Sequence, residues 1–166
     1  MVADSTALHH PWTSPPADHA GFRDLVARGE AADFVPLAGW RSEDNVLVAV
    51  VNFSQIVRGS FQSCYCGFSA NAATAGHGFT RETLELALRH AFTTLGLHRV
   101  EANVQPDNAA SLALVRRVRF RHEGFSPRYL HIDGAWRDHE RFAITMEDWQ
   151  GLGALGDARA SDPASF

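Results

Sequence analysis

Apolar and polar residues follow two distinct periods along this chain. Apolar positions three and four residues apart predict helices over residues 18–28, 80–95 and 109–118. Short apolar runs and strict alternation predict strands, and these cover 34–38, 46–53, 61–70, 99–105, 120–125, 128–132 and 137–146. Helices interspersed among strands in this order indicate an α/β (α+β) fold with a mixed sheet.

Glycine, proline and asparagine mark several element boundaries. Gly96 follows the helix 80–95 as a stop signal, and Pro106 ends the strand 99–105. Asn108 then stands where an N-cap is needed for the helix 109–118. A turn is expected at Asp133 and Gly134, between the last two strands.

The length and composition indicate one folded domain. With 166 residues, 45% of them hydrophobic, the chain can bury a substantial core. We expect an irregular, Pro-rich arm over 1–16, a single domain over 17–149 and a flexible tail over 150–166. The chain has no apolar run of about eighteen residues, and its start lacks the features of a signal peptide. We therefore expect a cytoplasmic protein with no membrane partner.

Charge and cysteine content narrow the function classes further. The net charge of −4 argues against a general nucleic-acid binder. All fifteen basic residues are arginine, which is consistent with a GC-rich genome. Cys64 and Cys66 alternate on one predicted strand, too far apart for an ordinary disulfide and too few for a metal site. We expect reduced, structural thiols and no metal.

The segment from the strand 61–70 to the helix 80–95 carries the strongest chemical signal. Its loop contains Gly76-His77-Gly78, and glycines before a helix expose backbone N–H groups at the positive end of the helix dipole. Such a loop binds phosphate, although a short glycine pair is equally typical of a tight turn. A Rossmann unit fits poorly because a third glycine is missing, and a Walker P-loop is excluded because Gly-Lys-Ser/Thr is absent.

Six segments then occur in an order that resembles the GNAT acyltransferases of the RimJ/RimL type. They include GHGFTRE at 76–82, PDNAAS at 106–111, FRHEG at 120–124 and YLHIDGAWRDH at 129–139. The other two are 52–63 and 90–102, and all six lie within 47–148, the stretch that carries the resemblance. The resemblance implies that 17–149 is a GNAT domain with a twisted, mostly antiparallel sheet flanked by helices. An acyl-CoA would lie in the cleft between two splayed strands.

The resemblance also implies a function and a set of site residues. Enzymes of this type are bacterial and transfer acetyl from acetyl-CoA to the N-terminal amine of ribosomal proteins, and relatives act on other amines. The end of the splayed strand would contact the pantetheine arm, the glycine loop would hold the pyrophosphate, and the second helix would begin near the thioester. By position, the cofactor-binding residues are Phe68, Ser69, Ala70, Ala75, Gly76, His77, Gly78, Phe79, Thr80, Asn108 and Ser111.

Two of these positions carry a catalytic hypothesis. A primary amine must lose a proton before it attacks a thioester, and Glu101 is our candidate base. Ser111 is the candidate that assists the departing thiolate. The plainer interpretation is that Glu101 is a solvated strand residue and Ser111 only satisfies the first turn of its helix. Tyr129 is an alternative acid, although a tyrosine in a sheet is more often a packing residue.

Three departures from the family pattern matter. The family's first strand has no counterpart before His10-Pro11-Trp12, so we expect an exposed sheet edge that a homodimer would shield. Ala73 and Ala75 replace polar or basic residues, so the phosphate site would be mainly backbone. Arg119 replaces a glycine. If the family's glycine has positive φ, the arginine would be strained there; alternatively, its side chain reaches a phosphate or the acceptor amine. These changes favour, as the alternative function, a non-catalytic acyl-CoA-binding or regulatory module.

Overall fold

The structure is a computed structural model that describes Ser5 and residues 8–13 and 18–151. Six strands form one sheet in the order β1-β2-β3-β4-β6-β5, and every neighbouring pair is antiparallel except β3 and β4. The strands are β1 Phe34–Trp40, β2 Leu47–Val57, β3 Ser63–Ala70, β4 Arg99–Val104, β5 Arg121–Ile132 and β6 Ala135–Thr145. The helices that matter below are α1 His19–Arg28, α2 Phe79–Thr93 and α3 Ala109–Arg117, with a short 3₁₀ turn at Ala72–Thr74. The expected mixed, mostly antiparallel α/β fold is confirmed.

The core lies between one face of the sheet and the helices. Leu84 and Leu88 of α2 and Val115 of α3 are buried against Phe53 and Phe142 of the sheet. These residues stand at the helical and alternating positions that the apolar pattern predicted. Burying this face fixes both helices on the sheet and therefore fixes where each helix begins.

The parallel pair of strands opens into a cleft. The register of β3 with β4 begins at Ser63 and Arg99 and ends at Tyr65 and Glu101, after three residues. β3 continues to Ala70 and β4 to Val104 without further pairing between them. The result is a V-shaped gap between two strands whose far ends both lead into helices.

Two expectations about chain segments are corrected. The strands predicted at 120–125 and 128–132 form the single edge strand β5, because a bulge at Arg128, with φ of 49°, absorbs the interruption at Pro127. An edge strand tolerates proline because one row of its N–H groups has no partner strand.

The N-terminal arm was predicted to be irregular, but Ser5, Leu8 and His9 have helical backbone where they are described. Contacts with the end of β3 hold them in place: the Ser5 hydroxyl accepts from the N–H of Ala72, and the His9 ring bonds to Ala70. The other arm residues fall outside the described part. So does the tail beyond Gly151, and Gln150 and Gly151 are helical.

Both cysteines are free and buried on β3. Burial raises the pKa of the Cys64 thiol to about 12 and raises that of Cys66 as well. A thiol that stays protonated at neutral pH is a poor nucleophile, so these residues contribute packing rather than chemistry.

Candidate active site

The first turn of α2 is open to solvent at its N-terminal end. Gly78 is the N-cap with φ of 88°, and no side chain accepts a hydrogen bond from the turn that follows it. Gly76 has φ of 82°, and a Cβ placed on either glycine would meet nothing within 4 Å. The first N–H groups of a helix have no intrahelical partner, so this end presents unpaired donors at the positive pole of the helix.

The two larger side chains of this loop turn away from those donors. The His77 ring lies with Nδ1 3.0 Å from the carbonyl oxygen of Ala75. Phe79 lies beneath the guanidinium of Arg41, 5.6 Å from ring centroid to carbon, and lines a separate cavity between β1 and α2. An anion bound at the start of α2 would therefore contact the backbone and the small residues of the loop.

In the first turn of α3, by contrast, a capping side chain already accepts a hydrogen bond from the backbone. Asn108 is the N-cap, and its Oδ1 accepts from the N–H of Ser111 at 3.1 Å. Ser111 itself lines the cavity that is described next. Asn108 was predicted as the N-cap from sequence, and that prediction is confirmed.

A cavity of about 530 Å³ joins the starts of the two helices to the end of β3. It brings together most of the positions that the family resemblance implied, although Glu101, His77 and Phe79 do not line it. The predicted residues that do line it are Phe68, Ser69, Ala70, Ala75, Gly76, Gly78, Thr80, Asn108 and Ser111.

The N-terminal arm forms part of the cavity wall, which sequence reasoning missed. His9 Nε2 lies 2.9 Å from the carbonyl oxygen of Ala70, and the carbonyl oxygen of Trp12 accepts from Gln105, just after β4, at 3.3 Å. The arm thus connects the ends of the two splayed strands. These partners are about 60 and 93 residues apart in sequence, so no local pattern could have indicated the contact.

Two arginines bring positive charge to the cavity. Arg81 lies in the first turn of α2 and pairs with Glu85 at 2.8 Å, and Arg117 lies in the last turn of α3. Both line the cavity, so the cationic groups come from the helices although Ala73 and Ala75 carry none. Arg81 could have been found from sequence, since it is the first basic residue after the glycine loop.

Glu101 lies at the apex of the V, on the sheet face opposite the core. It is the last residue of β4 that pairs with β3, and its carboxylate is bonded to Arg99, Nε to Oε1 at 2.9 Å. Arg99 also binds Glu123. This contact is the main reason why the pKa of Glu123 is lowered to about 2. Glu101 therefore belongs to an ordered network of charged residues at the cleft.

Two tyrosines lie beside Glu101 on the same face. Tyr65 pairs in register with Glu101, and its hydroxyl oxygen lies 3.3 Å from that of Tyr129. This hydrogen bond, together with partial burial, raises the pKa of Tyr65 to about 12. Both hydroxyls are oriented by each other, so Tyr129 has a polar contact rather than a purely packing role.

Arg119 has positive φ, as expected if it stands at a glycine position. Its φ is 72°, and its N–H bonds to the carbonyl of Arg116 while that of Phe120 bonds to Val115. These two bonds form a Schellman motif, in which the residue after the C-cap favours glycine. The side chain of Arg119 is exposed and does not line the cavity, so a reach toward a phosphate there is not observed.

The part of the chain that the structure describes, Ser5, 8–13 and 18–151, holds neither a group of metal ligands nor a membrane-spanning helix. There, no three His, Cys, Asp or Glu side chains gather in a way that could hold a metal ion. Nor does any helix in that part of the chain reach the length and apolarity needed to cross a membrane.

The observed site fits a CoA molecule. Its donors at the start of α2 suit phosphates, and two arginines add positive charge. Pyrophosphate oxygens would accept hydrogen bonds from these N–H groups and lie near the two guanidinium groups.

Comparisons with known proteins agree with this geometry. The acetyltransferase (GNAT) domain profile matches residues 1–121. The chain is 42% identical, over 107 residues, to a ribosomal protein uS5-alanine N-acetyltransferase of Escherichia coli (strain K12), covering 64% of this chain and 55% of that enzyme. The chain thus spans about half the length of the curated relative it matches.

Solved structures show the same fold. RimJ of Mycobacterium smegmatis, solved in complex with CoA-disulfide, superposes with a TM-score of 0.77 at 30% identity, covering 92% of this chain and 79% of that one. A ribosomal-protein-S5-alanine acetyltransferase from Vibrio fischeri superposes with a TM-score of 0.75 at 25% identity, covering 89% and 85%.

Proposed function

The chain belongs to the GNAT acetyltransferase family, and we propose that it transfers an acetyl group from acetyl-CoA to a primary amine. The observation that carries this proposal is the open N-terminus of α2, which faces the same cavity as Ser111. A phosphate held at one end and a thioester delivered to the other would place the acetyl group within the V of the sheet.

The proposed reaction is direct attack of the amine within a ternary complex. Bound acetyl-CoA supplies an activated acetyl group as its thioester. The loop 75–80 binds the phosphates through backbone N–H groups, and the end of β3 at Ala70 aligns the pantetheine arm. The hydroxyl of Ser111 donates a hydrogen bond to the departing sulfur, and Glu101 accepts the proton of the attacking amine directly or through water.

The role of Glu101 is supported by its place at the apex, where β3 and β4 part. Glu101→Gln is expected to lower the acetylation rate about 100-fold while acetyl-CoA affinity is retained. Glu123→Gln is the matched control, because it removes the other carboxylate bound to Arg99 without touching the apex. Equal losses in both variants would assign the effect to the charged network and remove Glu101 as the base.

A protein N-terminus is the acceptor that the relatives favour. The Escherichia coli relative is a ribosomal protein uS5-alanine N-acetyltransferase, and we propose the same acceptor class for this chain. CoA release should be measured with an Ala-initiated peptide, the same peptide N-acetylated, and a small polyamine. Release with the free peptide alone supports the proposal.

The same assay separates the proposed enzyme from a non-catalytic acyl-CoA-binding module. Binding of acetyl-CoA without release across the amine panel would favour that module. Release with the polyamine alone would instead keep the acetyltransferase and replace the acceptor.

A cytoplasmic homodimer is also proposed. β1 lies at one edge of the sheet, where the described residues provide no further strand, and a second copy would shield its free backbone groups. Molar mass in solution, measured by light scattering, tests this; a monomer at micromolar concentration would contradict it.

A further inference from the structure

Arg99 joins two carboxylates at the apex of the V. Its Nε donates to Oε1 of Glu101 at 2.9 Å, and its Nη1 donates to Oε1 of Glu123 at 3.1 Å. Its Nη2 donates to the second oxygen of Glu123. The guanidinium group is planar, so these three donors point in fixed directions relative to one another. One rigid group therefore connects a carboxylate of β4 to a carboxylate of β5.

The sheet explains why these three side chains meet. Arg99 and Glu101 are two residues apart on β4, so their side chains lie on the same face. Glu123 lies on β5, and β6 runs between the two strands. The residue of β6 that lies level with Glu101 is Ala143, which pairs in register with Glu101 on one side and Arg121 on the other. Its small side chain leaves room for Arg99 to reach across β6.

The contact restrains Glu101 and leaves one of its oxygens available. Only Oε1 bonds to Arg99, and Oε2 makes no hydrogen bond within the part of the chain that the structure describes. The Glu101 side chain is 18% exposed, so it is partly shielded but still open to solvent. A glutamate without such a contact populates several rotamers and must give up that freedom to act in one position. A misplacement of about 1 Å at a reacting group can cost about 100-fold in rate.

We propose that Arg99 is a positioning residue for acetyl transfer: by holding Oε1 of Glu101, it keeps Oε2 within reach of the acceptor amine. This inference rests on the proposed function, with Glu101 as the base. Arg99 does not line the cavity that would hold acetyl-CoA. It should therefore act on the rate through Glu101 alone, and not on the affinity for the cofactor.

A double-mutant cycle tests whether Arg99 acts through Glu101. Arg99→Met removes the guanidinium group and keeps an apolar side chain of similar length. Acetylation of an Ala-initiated peptide in single turnovers, at saturating acetyl-CoA, should become about tenfold slower. In a chain that already carries Glu101→Gln, the same change should alter the rate by less than about twofold, because the group that Arg99 positions is gone. A merely structural role would slow both chains by the same factor.

The chain offers a matched control in the same network. Arg121 also binds Glu123, at 2.9 Å, but it does not bond to Glu101. Arg121→Met should therefore retain the full rate. Arg99→Lys keeps the positive charge without the planar fork and should be about threefold slower. Acetyl-CoA affinity should be retained in every variant, and this shows that each is folded.

Four results would overturn the inference: a full rate in Arg99→Met, a full rate in Arg99→Lys, a loss in Arg121→Met equal to that in Arg99→Met, or equal factors in the two backgrounds. Failure of the proposed base gives a different result. If Glu101→Gln keeps the unaltered rate, Glu101 is not the base and the inference fails with it. If Glu101→Gln is slow and Arg99→Met is not, the base remains and only the role of Arg99 is wrong.

Discussion

The two helices that border the cavity begin in opposite ways. α2 begins at Gly78, with φ of 88° and no side-chain cap, so its first N–H groups are unpaired. α3 begins at Asn108, whose side chain accepts from the N–H of Ser111. Both starts line one cavity, and both follow a strand of the splayed pair.

The two helix starts are suited to different tasks: the open start of α2 to binding a ligand, and the capped start of α3 to holding Ser111 in position. An uncapped start is a weakness in an isolated helix, because an N-cap contributes about 1 kcal/mol of stability. Water can satisfy such exposed donors, and a phosphate does so with the added attraction of its negative charge to the positive pole of the helix. At the start of α3, the Asn108 side chain already satisfies the N–H of Ser111 and fixes the first turn, and Ser111 lines the cavity.

Of the changes that test this comparison of the helix starts, closing the open start of α2 should have the largest effect. Gly78→Ala introduces a Cβ at positive φ, which costs about 1–2 kcal/mol or forces the loop to rearrange. We expect acetyl-CoA affinity to fall about 10- to 30-fold in a binding titration. Gly59→Ala is the control, with φ of 70° and open space around it; it should lose stability but keep its affinity. Equal affinities in the two variants would contradict a phosphate site at Gly78.

A smaller effect is expected at the capped start when only the hydroxyl is removed. Ser111→Ala keeps the N–H that Asn108 caps, so the helix and acetyl-CoA affinity should be retained. Loss of one hydrogen bond to the departing sulfur should lower the acetylation rate about tenfold, measured in single turnovers. Ser60→Ala, at an exposed turn, is the control. A weaker affinity at an unchanged rate would show that Ser111 binds the cofactor instead.

Removing the cap itself should affect stability first. Asn108→Ala is expected to lower the free energy of unfolding by about 1 kcal/mol, measured in urea, because the N–H of Ser111 loses its acceptor. Asn108→Asp retains an acceptor and should retain most of the stability. If Asn108→Ala is as stable as the unaltered protein, the two helix starts do not differ as described.

The smallest effect lies at the other ends of the same helices. α2 is followed by Gly96 with φ of 64°, whereas Arg119 occupies the corresponding conformation after α3 with φ of 72°. Arg119→Gly should raise the free energy of unfolding by about 0.5 to 1 kcal/mol, because relief of strain exceeds the entropy that glycine adds. Its acetyl-CoA affinity should not change; a stability loss would show that the arginine side chain compensates for its backbone.

Local elements could be predicted well because their causes are local. The apolar stripe of α2, the alternation in β4 and the cap at Asn108 each act within a few residues. The interruption at Pro127 misled the prediction of β5, because a bulge that keeps a strand continuous depends on the partner β6 rather than on the strand's own sequence.

The site could be predicted where its residues lie in short segments and not where the chain returns from a distance. Gly76, Gly78 and Asn108 were indicated by their positions next to helices. The contact of His9 with Ala70 joins residues 61 positions apart, and Arg117 reaches the cavity from the far end of α3. Those placements follow from the strand order, which periodicity does not encode.

The central claim is that acyl-CoA binds with its phosphates at the open start of α2. Thermal unfolding with acetyl-CoA, and separately with acetyl-pantetheine, which lacks the phosphates, tests it most directly. At about 100 times the dissociation constant, acetyl-CoA should stabilise the fold by about 2.7 kcal/mol and raise the melting temperature by about 5–10 °C. Acetyl-pantetheine at the same concentration should give little shift. No shift with saturating acetyl-CoA, or equal shifts with both ligands, would contradict the claim.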